Sequence, residues 1–355
     1  MLWLRTETKT GERRTALTPA GARKLVAQGV EVVVERSETR VFPDRAYLAA
    51  GCRLAEPGEW RRAPTHALVL GLKELPSETA PLRGRHCYFG HLYKGQEGAA
   101  QVLERFGAGR GELLDLEYMT DAQGRRVAAF GFWAGYVGAA LGLLAWARRE
   151  KGRVLAGPLV AWPDREALVA TVERELNGLR APRVMITGAL GRSGSGARQL
   201  LDDAGLNQNT RRAFWDRAET AGGGPFDEVA AHDVLIHCVG TQAISSPLVT
   251  AAQIERGLLA VIADVTADFG NPTHQLPVVD ALTSLREPVA VRRLGAGAAA
   301  RDLHFVAIDH LPTLLPKESS EDFAEQLLPH LIDYFGRGIS GAWLRTQKVY
   351  QEHRA

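Results

Sequence analysis

Residues 183–196 read RVMITGALGRSGSG, a β-branched run followed by glycines at positions 188, 191 and 194. A strand that ends in a glycine-rich turn and restarts as a helix offers bare backbone amides at a helix N-terminus. That is the chemistry that holds a pyrophosphate. Gly188, Gly191 and Gly194 form GxxGxxG, a variant of the GxGxxG dinucleotide fingerprint. One glycine motif is weak evidence, and here a second feature adds to it. The next strand candidate, Arg212–Trp215, ends at Asp216, 22 residues beyond Gly194 (216 − 194), close to where a ribose-binding carboxylate stands. A carboxylate there accepts bonds from ribose hydroxyls and repels a 2′-phosphate, which selects NAD over NADP. Arg217 beside it works the other way, because a guanidinium tolerates that phosphate. NAD is the expected cofactor.

The first third of the chain carries no triad and no metal-type cluster. It has isolated polar residues where strands end: Lys73 closes HALVLGLK, and His91 follows CYFG. In an open α/β sheet such positions line the crevice where ligands bind. Taken alone, each reads first as a surface lysine or a satisfied histidine.

The elements that must position these groups alternate. Leu2–Leu4, Val30–Val34, His66–Lys73, Cys87–Phe89 and Leu113–Met119 are strand candidates, and Thr18-Pro19 supplies an N-cap and first-turn proline for a helix ending at Gly29. After residue 130 the pattern restarts. Glu166–Leu176 reads as a helix; Arg183–Thr187, Asp233–Cys238, Leu258–Val265, Val289–Arg292 and His304–Ile308 read as strands; from Ser319 the composition is helical again. The expected fold is α/β: two Rossmann-like domains with mostly parallel sheets and an interdomain cleft. A boundary around 127–131 gives a substrate and catalytic domain of 1–129 completed by about 326–355, and an NAD-binding domain of 130–325.

Between these domains Phe130–Trp146 runs uncharged, with Gly131, Gly135, Gly138 and Gly142 at i, i+4, i+7 and i+11. Those offsets share one helical face, where another backbone can approach closely. A buried helix between the two domains is expected rather than a membrane span.

Composition excludes several classes. With 355 residues, 45% hydrophobic and 24% charged, the chain is an ordinary globular protein, and a formal charge of +2 gives no footing for nucleic-acid or membrane-surface binding. Cys52, Cys87 and Cys238 are too scattered for a disulfide framework or structural zinc. The N-terminus reads as a strand rather than a signal peptide, and the C-terminal Glu352-His-Arg-Ala lacks a peroxisomal tripeptide. A cytoplasmic enzyme with small-molecule substrates is expected, as a monomer or small homo-oligomer.

Longer words carry more. LRTETKTGERRTALTP, GLKELP, FGHLYKGQEG, DLEYM and GRRVAAFGFWAG resemble, in order and spacing, the N-terminal domain of the saccharopine dehydrogenases. GALGRSGSG, GGPFDE, ADVTADFGNP and AIDHLPTLLPKESS resemble their NAD-binding domain. The likeness runs from about residue 2 to residue 350. ERRTALTPAGARKL also resembles the alanine dehydrogenases and proton-translocating transhydrogenases, a broader superfamily with the same two-domain plan.

The resemblance implies reversible, NAD-linked cleavage of saccharopine to L-lysine and 2-oxoglutarate. Lys73 and His91 match the family's acid–base pair, and Lys9 matches a neighbour that would lower the lysine's pKa. Arg14 and Arg126 match carboxylate-binding arginines, with Lys94 and Glu117 beside them in the substrate pocket. Gln96, Arg125 and Phe130 match positions lining the nicotinamide and substrate cleft. Gly188, Gly191, Arg192, Ser193, Gly194, Asp216, Arg217 and Val265 match cofactor contacts, as do Ile308, Asp309, His310 and Leu311. Glu117 and Asp309 read as polar organisers.

Two departures stand out. Ser193 replaces a cysteine that in some fungal relatives is able to pair with the one matching Cys238, so no thiol-linked control of cofactor binding is expected. The stretch 239–246 lacks the family's tyrosine near Gly240, which leaves the amine substrate open. An opine dehydrogenase joining another amine to a 2-oxo acid and an alanine dehydrogenase-like enzyme are the enzymatic alternatives. A catalytically silent NAD-binding module is the alternative from another class.

Overall fold

The computed structural model describes residues 1–206, 212–240, 246–297 and 300–354. The chain divides into two compact units, one of Met1–Ala129 with Pro316–Ala355 and the other of Phe130–Leu315.

The first unit opens with β1 (Leu2–Leu4), α1 (Pro19–Ala27), β2 (Val32–Glu35), α2 (Asp44–Ala49), β3 (Arg53–Ala55), β4 (Leu68–Leu70), β5 (Arg85–Cys87), α3 (Ala99–Gly109) and β6 (Glu112–Leu113). Thr18 caps α1 by accepting the Gly21 amide at 3.1 Å, with Pro19 in the first turn. The six strands are parallel in the order β3-β2-β1-β4-β5-β6, so the direction of winding reverses between β1 and β4.

Two strands end earlier than the residue pattern suggests, each because a carboxylate captures the backbone. His66–Lys73 pairs only over Leu68–Leu70, since the amides of Leu72 and Lys73 leave the ladder to bond the Glu7 carboxylate at 2.7 and 3.0 Å. Leu113–Met119 becomes the two-residue β6 and then a 3-10 turn at Leu116–Tyr118, where Asp115 accepts the Glu117 amide at 2.9 Å. The strand placed at Cys87–Phe89 lies two residues earlier, at Arg85–Cys87.

The second unit begins with α4 (Gly131–Glu150) and α5 (Arg165–Leu176). It continues through β7 (Val184–Thr187), α6 (Arg192–Asp203), β8 (Arg212–Trp215), α7 (Arg217–Thr220), α8 (Asp227–Ala230), β9 (Val234–His237), α9 (Ala251–Arg256), β10 (Val261–Asp264), β11 (Ala290–Leu294) and β12 (Arg301–Val306). The strand order is β11-β12-β10-β9-β7-β8, parallel throughout except for β11, which runs antiparallel to β12 at the edge. Here the winding reverses at β7, with β8 on one side and β9 on the other.

Helix α4 is buried along Gly135–Ala147 because it is apolar on every face. Its glycine face serves its own unit. A Cβ on Gly135 would overlap the Ser193 carbonyl of α6, and one on Gly142 would lie 3.1 Å from Ala263 of β10. The expected helix between two domains is therefore the central helix of one. Among the described residues no helix is long and apolar enough to cross a membrane.

The chain then adds α10 (Pro316–Arg337) and α11 (Gly341–His353) to the first unit. Pro316 starts a continuous helix, so the return comes at 316 and the expected boundary near 326 would cut α10 in two. Thr15 donates its amide to Ser320 of α10 at 3.0 Å, and Thr346 and Tyr350 of α11 bond the carbonyls of Asp115 and Gly111 at 2.7 and 3.0 Å.

Candidate active site

The carboxyl ends of β1 and β4 flank the reversal point of the first sheet, and Lys73 lies there. Beyond β1 the buried Arg5 and Glu7 pair at 3.3 Å. Glu7 takes the Leu72 and Lys73 amides, and Arg5 donates to the Lys73 carbonyl. The backbone of residue 73 is thus held on both sides by one ion pair, which fixes where its side chain starts. Neither residue was singled out from the sequence. The Glu7 signal, a carboxylate just past a strand, means little until β4 is known to lie beside β1.

The side chain of Lys73 is half-buried, and its pKa is lowered. Burial is the main cause; the Arg14 guanidinium is next, with Glu12 opposing it, and Lys9 contributes less. The electrostatic neighbour is therefore first Arg14 rather than the expected Lys9. Arg14 is buried against Glu12 at 2.6 Å, whereas Lys9 is 53% exposed and 3.9 Å from Glu74. Desolvation also pushes the Glu12 pKa up, but its bonds to Arg14 more than offset this, so it stays below the usual carboxylate range.

His91 joins this group through Glu74, whose Oε1 is 3.8 Å from His91 Nε2 while its Oε2 faces Lys9. Glu74 therefore links Lys9 and His91 from the position next to Lys73. His91 has φ +52°, a costly backbone for a non-glycine residue that must be held by its surroundings. Asp115 lies against this turn, fully buried, with its carboxyl facing the amides of Gly90 and His91. Burial pushes its pKa up to about 6, although the Glu117, Gly90 and His91 amides act against the rise.

The remaining candidates in this unit are paired locally. Arg126 and Glu117 form an ion pair at 2.8 Å, and Arg125 pairs with Asp121 at 2.9 Å on an exposed turn. The amide of the exposed Lys94 donates to the Gln96 side chain at 2.8 Å.

In the second unit the glycine turn is built as its spacing requires. Gly188 has φ +71°, and a Cβ there would lie 2.8 Å from the Cys238 carbonyl of the strand across the reversal point. Gly191 is the N-cap of α6, and a Cβ on Gly194 would overlap the Gly188 carbonyl, so only glycine lets α6 sit this close to β7. Leu190 and Arg192 are exposed at the helix start. Asp216 closes β8 and accepts the Leu190 and Arg217 amides, each at 2.9 Å, which ties the glycine turn to the end of β8. Bare amides at a helix N-terminus beside a carboxylate fit a dinucleotide.

Some cofactor candidates are placed differently. Ser193 packs on α4, its hydroxyl 3.3 Å from where a Gly131 Cβ would be. Ile308 and Leu311 are core residues, each 1% exposed, because the chain after β12 turns inward to pack beneath α4. Asp309 and His310 between them have exposed side chains that bond each other. Val265 donates its amide to the His237 carbonyl at 2.9 Å, and Phe130 is the N-cap of α4. Of the divergent stretch 239–246, residues 241–245 lie outside the described residues. Among the described residues no group of three His, Cys, Asp or Glu side chains is placed to hold a metal ion.

Residues 3–137 match the family model of the alanine dehydrogenase/PNT N-terminal domain. The chain is 42% identical over 363 residues to a Yarrowia lipolytica protein named saccharopine dehydrogenase [NAD(+), L-lysine-forming], covering 99% of this chain and 97% of that one. A Candida albicans protein of the same name is 40% identical over 375 residues, covering 100% and 97%. Among solved structures an L-alanine dehydrogenase superposes with a TM-score of 0.67 at 18% identity, over 99% of this chain and 94% of its own. With a relative of that identity aligned from end to end, the chain belongs to the family of the L-lysine-forming saccharopine dehydrogenases.

Proposed function

We propose that this chain is an NAD-dependent oxidoreductase that cleaves saccharopine reversibly to L-lysine and 2-oxoglutarate. The observation that carries the reading is Lys73: an amine of lowered pKa, its backbone clamped by Arg5 and Glu7, at the reversal point of the first sheet. Oxidising a secondary amine near neutral pH asks for such a base.

NAD supplies the hydride acceptor. Lys73 in its neutral form takes the proton of the substrate's secondary amine as hydride leaves the adjacent carbon. Water then adds to the resulting imine carbon, and His91 takes up the proton that water releases. As water adds, Lys73 returns its proton to the nitrogen, giving the carbinolamine. When the C–N bond breaks, His91 passes its proton to the departing lysine nitrogen and Lys73 takes the proton of the carbinol hydroxyl, which becomes the carbonyl of 2-oxoglutarate. Arg14 and Arg126 bind substrate carboxylates. Each already pairs with a glutamate, Arg14 with Glu12 at 2.6 Å and Arg126 with Glu117 at 2.8 Å, which holds its guanidinium in place. Lys94 completes the substrate pocket, while Gln96, Arg125 and Phe130 line the nicotinamide side. The protein works in the cytoplasm as a monomer or small homo-oligomer.

The deciding assay follows NADH consumption with 2-oxoglutarate and a panel of amines. Turnover with lysine supports the proposal; turnover with another amine and none with lysine makes this chain a sister opine dehydrogenase. Two variants add to it. Glu12 raises the pKa of Lys73, so Glu12→Gln moves the acid limb of the kcat/KM profile to lower pH. An unmoved limb would mean that Lys73 is not the group titrating. Asp216→Ser removes the charge that repels a 2′-phosphate and leaves Arg217, so the kcat/KM ratio of NADPH to NADH rises roughly tenfold. An unchanged ratio would remove Asp216 from the ribose site.

A further inference from the structure

Three polar side chains cross the second sheet in one row at its carboxyl end. Thr187, His237 and Asp264 are register partners on β7, β9 and β10. Their strand neighbours Ile186, Ile236 and Ala263 pack toward α4, whereas Met185, Leu235 and Ile262 belong to the core on the opposite face. By alternation the three polar residues share that opposite face. All are at most 1% exposed.

An Asp carboxylate so deeply buried needs partners. Asp264 has them in the turn that follows its own strand. His274 donates from Nε2 to Oδ2 at 2.9 Å, and the Thr266 hydroxyl and amide bond Oδ1 at 2.6 and 3.2 Å. Between these anchors Ala267 has φ +50°, a strained backbone for alanine. On the other side of the row the Thr187 hydroxyl bonds His237 Nδ1 at 2.9 Å.

The place of this turn gives it a use. The start of α6 beside β7 takes the pyrophosphate, and Asp216 at the end of β8 takes the adenosine ribose, so the rest of the dinucleotide runs the other way, past β9. Neighbouring strands are ~4.8 Å apart, which puts β10 about 10 Å from β7, within reach of the nicotinamide half.

We propose that Asp264 and His274 are positioning residues that latch the turn 265–274 across the carboxyl end of β10 as the seat of the nicotinamide half. The inference rests on the NAD reading and goes beyond it, because it separates the two halves of the cofactor. The ring of His274→Phe keeps bulk without the bond, and His274→Gln retains a donor. Binding of NADH and of AMP is measured by titration on the full-length protein, with folding checked by circular dichroism. His274→Phe weakens NADH about tenfold or more, the scale of one lost buried hydrogen bond, and leaves AMP within about twofold. His274→Gln restores most of the NADH affinity. Should His274→Phe fail to fold, Thr266→Val is read the same way, with about a threefold loss expected for NADH alone. NADH binding unchanged in the variant that folds, or AMP weakened in parallel with NADH, overturns the latch. Wild-type protein that binds neither ligand overturns the cofactor reading, and the latch with it.

Discussion

Lys73→Met is expected to lower kcat by about 10²- to 10⁴-fold, the contribution of a positioned general base, and to raise the melting temperature at pH 7. The second half follows from linkage. The folded-state pKa of Lys73 lies below its ordinary 10.5, so folding penalises the protonated amine. That penalty is fully present below the folded pKa and fades as pH rises from there toward 10.5. Methionine carries no charge and escapes it. The thermal gain of the variant should therefore be present at neutral pH and shrink toward pH 10, which calorimetry at three pH values can follow. Near-wild-type turnover would reject Lys73 as the base. Loss of turnover with a pH-independent thermal shift would keep the chemistry and reject the lowered pKa of Lys73.

The other large effect is structural. Gly135→Val places side-chain atoms where the Ser193 carbonyl already lies, between two backbones that cannot give way. Overpacking of this kind costs about 3 kcal/mol or more, a fall of roughly 10 °C for a unit of this size. Gly131→Ala is the internal control. Its Cβ meets the flexible ends of Arg192 and Ser193 at 3.3 Å, and it should melt within about 3 °C of the wild type. Equal melting temperatures for Gly135→Val and the wild type would show that α4 and α6 do not approach as described.

The contrast shows which parts of the molecule could be read from residue order. Periodic features came through: the glycine face of α4, the turn at 188–194, and β8, whose ends coincide with the expected Arg212–Trp215. Each depends on neighbours in sequence. What was missed depends on strands meeting across the sheet. Glu7 cuts β4 short only because β1 and β4 are adjacent, and Asp264 draws its significance from lying level with His237 two strands from Thr187. For the same reason Lys9 was named as the neighbour of Lys73 before the buried Arg14, since burial is invisible in a linear text. The side chains of Ile308 and Leu311 pack in the core, a placement residue order does not show, because an apolar side chain near a strand end serves a core or a cofactor equally well.

The second unit is an insertion, complete in one continuous stretch, while the first is interrupted for 130–315 and finished only by α10 and α11. During synthesis the inserted unit leaves the ribosome whole and is free to fold as it emerges. The half bearing Lys73 has to wait for its last forty residues, Pro316–Ala355, which supply Ser320 to Thr15 and Thr346 to Asp115. While those residues are still to be made, the nascent chain holds a complete second unit and an incomplete first one.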